Sequence, residues 1–134
     1  MIRSLLTAIA ITVSAIACAS DVPTVDQQAL IGRLEAKDAS LVLLDVRTQK
    51  EFAEGHVPGA INISHDELAS RLGELEGARD RDIVVYCRSG RRTGIALGVL
   101  EKAGFKRLYH LEGDYLAWTA AGRPLEKTAA SPGG

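Results

Sequence analysis

Seven residues, Cys87-Arg-Ser-Gly-Arg-Arg92-Thr93, concentrate the reactive chemistry of this sequence. They set one thiol among three guanidinium groups and a glycine. A free thiol has a pKa of ~8.5, so only a few per cent of it is thiolate at neutral pH. Lowering that pKa by ~2 units takes about 2.7 kcal/mol and makes the nucleophilic thiolate the major form. The surrounding residues are of the kind that can supply it. A loop curling into a helix start turns backbone N–H groups inward as an anion nest. The first N–H groups of the helix have no internal partners and carry partial positive charge. Gly90 permits the torsions of a tight curl. Arg88 and Arg91 have the planar forks that suit an incoming oxyanion. Arg92 either joins them or turns back to an acidic residue, and Ser89 and Thr93 complete the candidate binding loop. The reading requires a sulfur that a donor can reach. A thiol sealed from solvent would leave a fold without an inferred activity.

The loop needs a strand before it and a helix after it. Asp82-Ile-Val-Val-Tyr86 is a buried-strand run, and a helix is expected from about Thr93 to Ala103, stopped by Gly104. Leu41 to Val46 is a second continuous apolar run, as strands buried on both faces show. It ends in Asp45-Val-Arg47, a charged pair at a strand end. Asp45 reads either as orienting the loop or an arginine, or as bracing the fold through Arg47, with an Arg47–Glu51 pair as another option. Ala60–Ile63 and Arg107–His110 are further short strands. Three capping boxes, at Thr24, Thr48 and Ser64, predict helices to about Ala36, to Gly55 and to about Leu75. Asp114 is expected to cap a last helix reaching Ala121. Strands alternating with helices predict a single α/β domain over residues 21–125, with a central, mostly parallel five-stranded sheet and helices on both faces. Ligands of such sheets bind beyond the carboxyl ends of the strands, where Asp45-Val-Arg47 and Tyr86-Cys87 fall. Residues 126–134 read as a flexible tail.

The chain has 134 residues, enough for one domain, with 46% hydrophobic and 25% charged residues. Its net charge of -1 excludes a polybasic nucleic-acid or membrane-surface binder. Residues 1–19 stand apart. Arg3, the apolar run Leu5–Ala17 and Ala17-Cys18-Ala19 have the layout of a secretory signal peptide, with a stretch too short for a membrane span. Ala15-Ile-Ala-Cys18 also reads as a weak lipoprotein box that would lipidate Cys18 and anchor the domain. Either way a periplasmic, exported protein is expected, with Cys87 as its one remaining thiol. A leftover thiol in an oxidising compartment points to reactivity or to intermolecular pairing, unless it is buried and inert. His56 reads as a hydrogen-bonded turn residue and Trp118 as core packing. His65 and His110 lack metal-ligand spacing with any cysteine, and neither metal nor cofactor is expected.

The loop Cys87–Arg92 resembles the six-residue active-site loop of the rhodanese family. Asp45-Val-Arg-Thr-Gln-Lys-Glu-Phe52 with Gly55-His-Val-Pro-Gly-Ala-Ile-Asn62 is similar to the family signature DVR-x3-EF…GHIPGAxN. Leu111-Glu-Gly-Asp-Tyr-Leu-Ala-Trp118 is similar to its final loop and helix, LxGG…W, with Asp114 standing where the family usually has a second glycine. The resemblance spans roughly Val22 to Leu125, and the export signal makes the chain similar to the periplasmic phage-shock type.

The resemblance implies a rhodanese-like fold and a thiosulfate sulfurtransferase. Cys87 would be the catalytic nucleophile. It would accept sulfur from a small anionic donor such as thiosulfate and pass it, as a persulfide, to cyanide or a thiol. Arg88, Ser89, Gly90, Arg91, Arg92 and Thr93 would bind the donor, with Asp45 and Arg47 in support. A monomer is expected, and Asp114 bears on substrate preference. Two other readings stand beside it. One is a non-enzymatic persulfide carrier for a partner protein. The other is a cysteine phosphatase or arsenate reductase, disfavoured because such loops are longer and carry arginine where this chain has Thr93.

Overall fold

The structure, a computed structural model, describes residues 22–128. The expected signal segment, Cys18 and the end of the expected tail lie outside the described residues. Five strands, β1 (Thr24–Val25), β2 (Leu41–Asp45), β3 (Ile61–Asn62), β4 (Asp82–Tyr86) and β5 (Leu108–Leu111), form one sheet in the order β1-β5-β4-β2-β3. Every pairing is parallel. β2 and β4 lie at the centre, paired from Leu41 with Asp82 through to Asp45 with Tyr86. Their carboxyl ends therefore finish side by side, at the edge from which the loop after Tyr86 departs.

Side chains of a strand alternate between faces, and the core divides accordingly. Leu44, Ile83, Val85 and Cys87 face one cluster, which α3 (Arg91–Lys102) covers with Ala96, Leu97 and Leu100. Leu43, Val84 and Tyr86 face the other, covered by α1 (Gln27–Glu35) through Leu30 and by α4 (Asp114–Ala120) through Trp118. Helices on both faces are what parallel crossovers require. Among the described residues, no helix is long and apolar enough to cross a membrane.

Several local expectations need correction. Thr24 does not cap α1: it belongs to β1, the edge strand on β5, and the cap is Asp26, which accepts from the amides of Gln28 (2.8 Å) and Ala29 (3.2 Å). The helix expected from Ser64 is absent. Ser64 donates its hydroxyl to Asp66 (2.6 Å), and two 3-10 segments, Leu68–Ser70 and Leu72–Ala78, follow instead. Gly73 and Gly77 weaken an α-helix here, and the tighter winding still delivers Leu68, Leu75 and Ala78 to the core. The helix after the loop starts at Arg91, two residues early. The segment from Glu126, expected as a frayed tail, is held at its start: Glu126 and His56 exchange backbone bonds of 2.9 Å, and the Thr128 amide donates to Ala53 (3.2 Å). The helix α2 (Gln49–Glu54) has the expected capping box of Thr48 with Glu51. His56 is the hydrogen-bonded turn residue expected, its Nδ1 2.7 Å from the Phe52 carbonyl. Trp118, 1% exposed, is core.

The Asp45–Arg47 pair braces the sheet edge. Asp45 is 0% and Arg47 2% exposed. Arg47 makes a forked contact with Asp45 (2.7–3.0 Å), donates to the Gly55 carbonyl (2.7 Å) and lies 3.9 Å over the Tyr115 ring of α4. Burial opposes the Arg47 charge, but Asp45 more than offsets it and holds the guanidinium above its ordinary pKa. Removing one partner of such a pair strands the other charge in the core. Arg47→Met is therefore expected to cost about 3–5 kcal/mol, measured by urea unfolding. A loss below ~1 kcal/mol would show that Asp45 finds other compensation.

Candidate active site

Cys87 follows β4 directly, where the sheet ends. The chain then curls through Arg88, Ser89 and Gly90 into α3. Gly90 sits at φ +115°, in a region that costs an L side chain strain, and its amide N–H reaches the Cys87 Sγ at 2.9 Å. The Arg88, Ser89, Arg91, Arg92 and Thr93 amides have no acceptor among the described residues. The backbone here is thus a set of free donors around a sulfur, at the positive end of a 12-residue helix.

The loop residues do not share one task. Arg88, Ser89 and Arg91 are exposed, and neither Arg88 nor Arg91 forms an ion pair among the described residues. They remain available to an anion. Arg92 turns back, as one of its two expected options: it grips Glu51 of α2 with two bonds of 2.7 and 3.0 Å. Thr93 cannot offer its side chain to a substrate. It is 0% exposed and donates its hydroxyl to Asp114 (3.0 Å). Asp45 and Arg47 bind each other, and Arg47 reaches toward the loop over the rings of Tyr115 and Tyr86.

Two findings were not foreseen. The first is that Cys87 does not stand open: it is 1% exposed. Its side chain leaves β4 on the α3 face and packs with that core cluster, while its own loop closes over it. The expectation of an open thiol is corrected to a sulfur one layer beneath an exposed rim.

The second is Asp114. It was expected to cap α4, but that cap is Gly113, at φ +74°, and Asp114 itself takes φ +54°. Its carboxylate, 3% exposed, reaches under the loop. Oδ1 accepts from the Cys87 amide (3.0 Å) as well as from Thr93, and Oδ2 lies 2.8 Å from His110 Nε2 on β5. Burial pushes the Asp114 carboxyl up, yet the bonds from His110, Cys87 and Thr93 outweigh it and hold the pKa below the ordinary value. A non-glycine residue at positive φ costs on the order of 1 kcal/mol. The one sequence signal for this cluster was the departure from glycine at position 114. Among the described residues no three His, Cys, Asp or Glu side chains converge as a metal site would need.

Known proteins resemble this chain in sequence and fold. A family model described as the rhodanese-like domain matches residues 26–121. A curated sulfurtransferase of Allochromatium vinosum is 36% identical over 101 residues, a match covering 75% of this chain and 92% of that protein. The HTH-type transcriptional regulator Rv0324 of Mycobacterium tuberculosis is 43% identical over 102 residues, but the match covers only 43% of that longer protein. The crystal structure of the Alr3790 protein from Anabaena sp. aligns with a TM-score of 0.70 at 35% identity, covering 77% of this chain and 82% of that one.

The Arg92–Glu51 grip makes a pH prediction. Hydrogen bonding from Arg92, against a smaller cost of burial, lowers the Glu51 pKa from 4.5 to about 2. A depressed carboxylate stabilises the fold fully above its unfolded pKa and loses that contribution as pH falls through the folded value. Glu51→Gln should therefore cost about 1 kcal/mol, for a partly exposed pair, at pH 5–7. The difference from the parent should shrink between pH ~4.5 and ~2, read from urea midpoints. A gap that does not change with pH would exclude the ion pair as its source.

Proposed function

The chain belongs to the rhodanese-like domain family, and from that premise we propose that it is a sulfurtransferase working through a Cys87 persulfide, with a donor of the thiosulfate class. The observation that carries the reading is the Gly90 N–H directed at Sγ among unpartnered amides at the start of α3. Such donors stabilise sulfur anions and the oxyanions of a bound donor alike.

The cycle has two displacements. The Cys87 thiolate attacks the outer sulfur of thiosulfate, a sulfur–sulfur bond forms, and the donor's own sulfur–sulfur bond breaks. Sulfite leaves with that electron pair. The acceptor, cyanide or a thiolate, then attacks the terminal sulfur of the persulfide. Thiocyanate or a new persulfide departs, and the Cys87 thiolate is restored. Exposed Arg88 and Arg91 draw in the dianion. The loop amides take the oxygens of the leaving sulfite and the charge of the persulfide. Because Sγ lies under the rim, the Ser89–Gly90 segment must yield for the donor's outer sulfur to arrive. A compact, linear approach suits thiosulfate and cyanide better than a bulky reagent.

A phosphatase-like reaction is disfavoured by Thr93. Its hydroxyl is committed to Asp114, at the position where an arginine would have to fork a phosphate. Residues 1–19 carry the exported, periplasmic part of the proposal, free or anchored through Cys18. Intact mass of protein from cells distinguishes the two.

Two measurements test the reaction. Incubation with thiosulfate should add about 32 Da, one sulfur atom, to the intact protein. Cyanide should remove it, and Cys87→Ser should abolish both the adduct and turnover. Steady turnover with thiosulfate and cyanide makes the protein an enzyme rather than a carrier, with the parallel-line pattern of ping-pong kinetics. A native thiol that takes up no sulfur and resists small alkylating reagents, while reacting once unfolded, would make the buried position decisive and end the proposal.

A further inference from the structure

We infer that Asp114 is a positioning residue whose carboxylate holds Cys87 and the first turn of α3 in the geometry the thiol needs to react. The inference rests on Cys87 as the nucleophile and adds a second element of control to it.

The first turn of α4 closes on Cys87 from both sides of its backbone. Asp114 Oδ1 takes the Cys87 amide N–H at 3.0 Å, and the Tyr115 amide donates to the Cys87 carbonyl at 3.0 Å. One residue on, the Leu116 amide donates to the Arg88 carbonyl at 3.1 Å. The same Oδ1 also takes the Thr93 hydroxyl from inside α3 (3.0 Å), while Oδ2 meets His110 Nε2 from β5 (2.8 Å). One carboxylate thus joins β4, α3, β5 and α4 at the place where the reactive loop starts and ends.

The carboxylate also bears on the loop's glycine. A Cβ built at Gly90 would stand 3.1 Å from Asp114 Oδ2 and 3.6 Å from His110 Cε1. The turn that aims the Gly90 N–H at Sγ therefore rests on the Asp114–His110 pair. Cap and bracing roles alone do not account for the placement. Gly113 already caps the helix, and Asp114 accepts both a positive φ and near-complete burial of its charge to reach the Cys87 amide.

Three full-length variants decide the matter. Asp114→Asn keeps an oxygen acceptor and tolerates positive φ. Asp114→Gly removes the acceptor and relieves the torsion. Thr93→Val removes one donor and leaves position 114 intact. Each is assayed for the alkylation rate of Cys87 by iodoacetamide, for kcat and KM in thiosulfate–cyanide transfer, and for Tm. Asp114→Gly should slow alkylation and lower kcat roughly ten-fold or more with KM within about two-fold, the pattern of a misplaced reacting atom. Asp114→Asn should stay within about three-fold of the parent in both rates. Should the glycine variant fail to fold, Thr93→Val should still slow both rates roughly three-fold. Parent-like rates in Asp114→Gly or, failing that, in Thr93→Val overturn the inference. So does a folded Asp114→Asn as slow as the glycine variant. A parent without sulfur transfer would sink the proposed reaction and leave the alkylation comparison to judge Asp114.

Discussion

The site depends on the cost of leaving a buried backbone group unbonded. Cys87 comes just after β4, where the ladder can no longer supply partners, yet it is as buried as the strand before it. An orphaned amide there would cost about 1–3 kcal/mol. The chain meets that demand with the start of α4, through Asp114 for the N–H and Tyr115 for the carbonyl. Arg88, Ser89, Arg91, Arg92 and Thr93 find no acceptor for their N–H groups among the described residues. Their amides are left for whatever anion the loop receives. Satisfaction at position 87 and vacancy at 88, 89 and 91–93 are two sides of one arrangement.

A second truss keeps the strand ends level with each other. Asp45 and Tyr86 are register partners on β2 and β4. Arg47 spans from Asp45 to the Gly55 carbonyl and packs over Tyr115, the residue whose amide holds Cys87. The Tyr86 hydroxyl, its pKa raised first by burial and then by the Asp45 charge, accepts the Val57 amide at 3.1 Å. A Cβ at Gly55 would stand only 2.7 Å from the Tyr115 hydroxyl, so the 55–57 turn and α4 are in close contact. The DVR and GHVPG segments thus reach the chemistry through packing, with Val46 in the same core cluster as Cys87.

What could be read from the sequence follows from range. β2 and β4 declare themselves as continuous apolar runs, because burial on both faces is written into each residue. β1 does not. Two residues have no periodicity of their own, and Thr24–Val25 is a strand only because β5 offers it an edge. The 3-10 segments replaced a helix that capping chemistry alone predicted, with glycines interrupting it. In the site, Cys87 and Gly90 were legible because the chemistry of a short loop is local. The Asp114 contacts were not: they join residues 27 and 21 positions apart, and no local pattern encodes them. The same limit hid the burial of the thiol, since the α3 face that receives it is set by the sheet as a whole.

The electrostatics of the loop differ from what three arginines suggest. Arg92 is matched by Glu51, and Asp114 adds a negative charge beneath Cys87. What remains positive at close range is the ring of amides, with Arg88 and Arg91 on an exposed rim. A hydrogen bond to a charged group contributes about 1.5–3 kcal/mol where water is excluded. An exposed guanidinium is screened within about 8–10 Å at physiological salt. The two therefore divide the work by distance. In the proposed reaction the rim arginines would act on encounter, raising the local concentration of a dianion in a salt-dependent way. The amides would act at contact, where the proposed persulfide would carry its charge and water is largely absent. A buried carboxylate near the sulfur is tolerable in this scheme because its charge is spent on the Cys87 amide, Thr93 and His110, and because position is what the amides require in order to act.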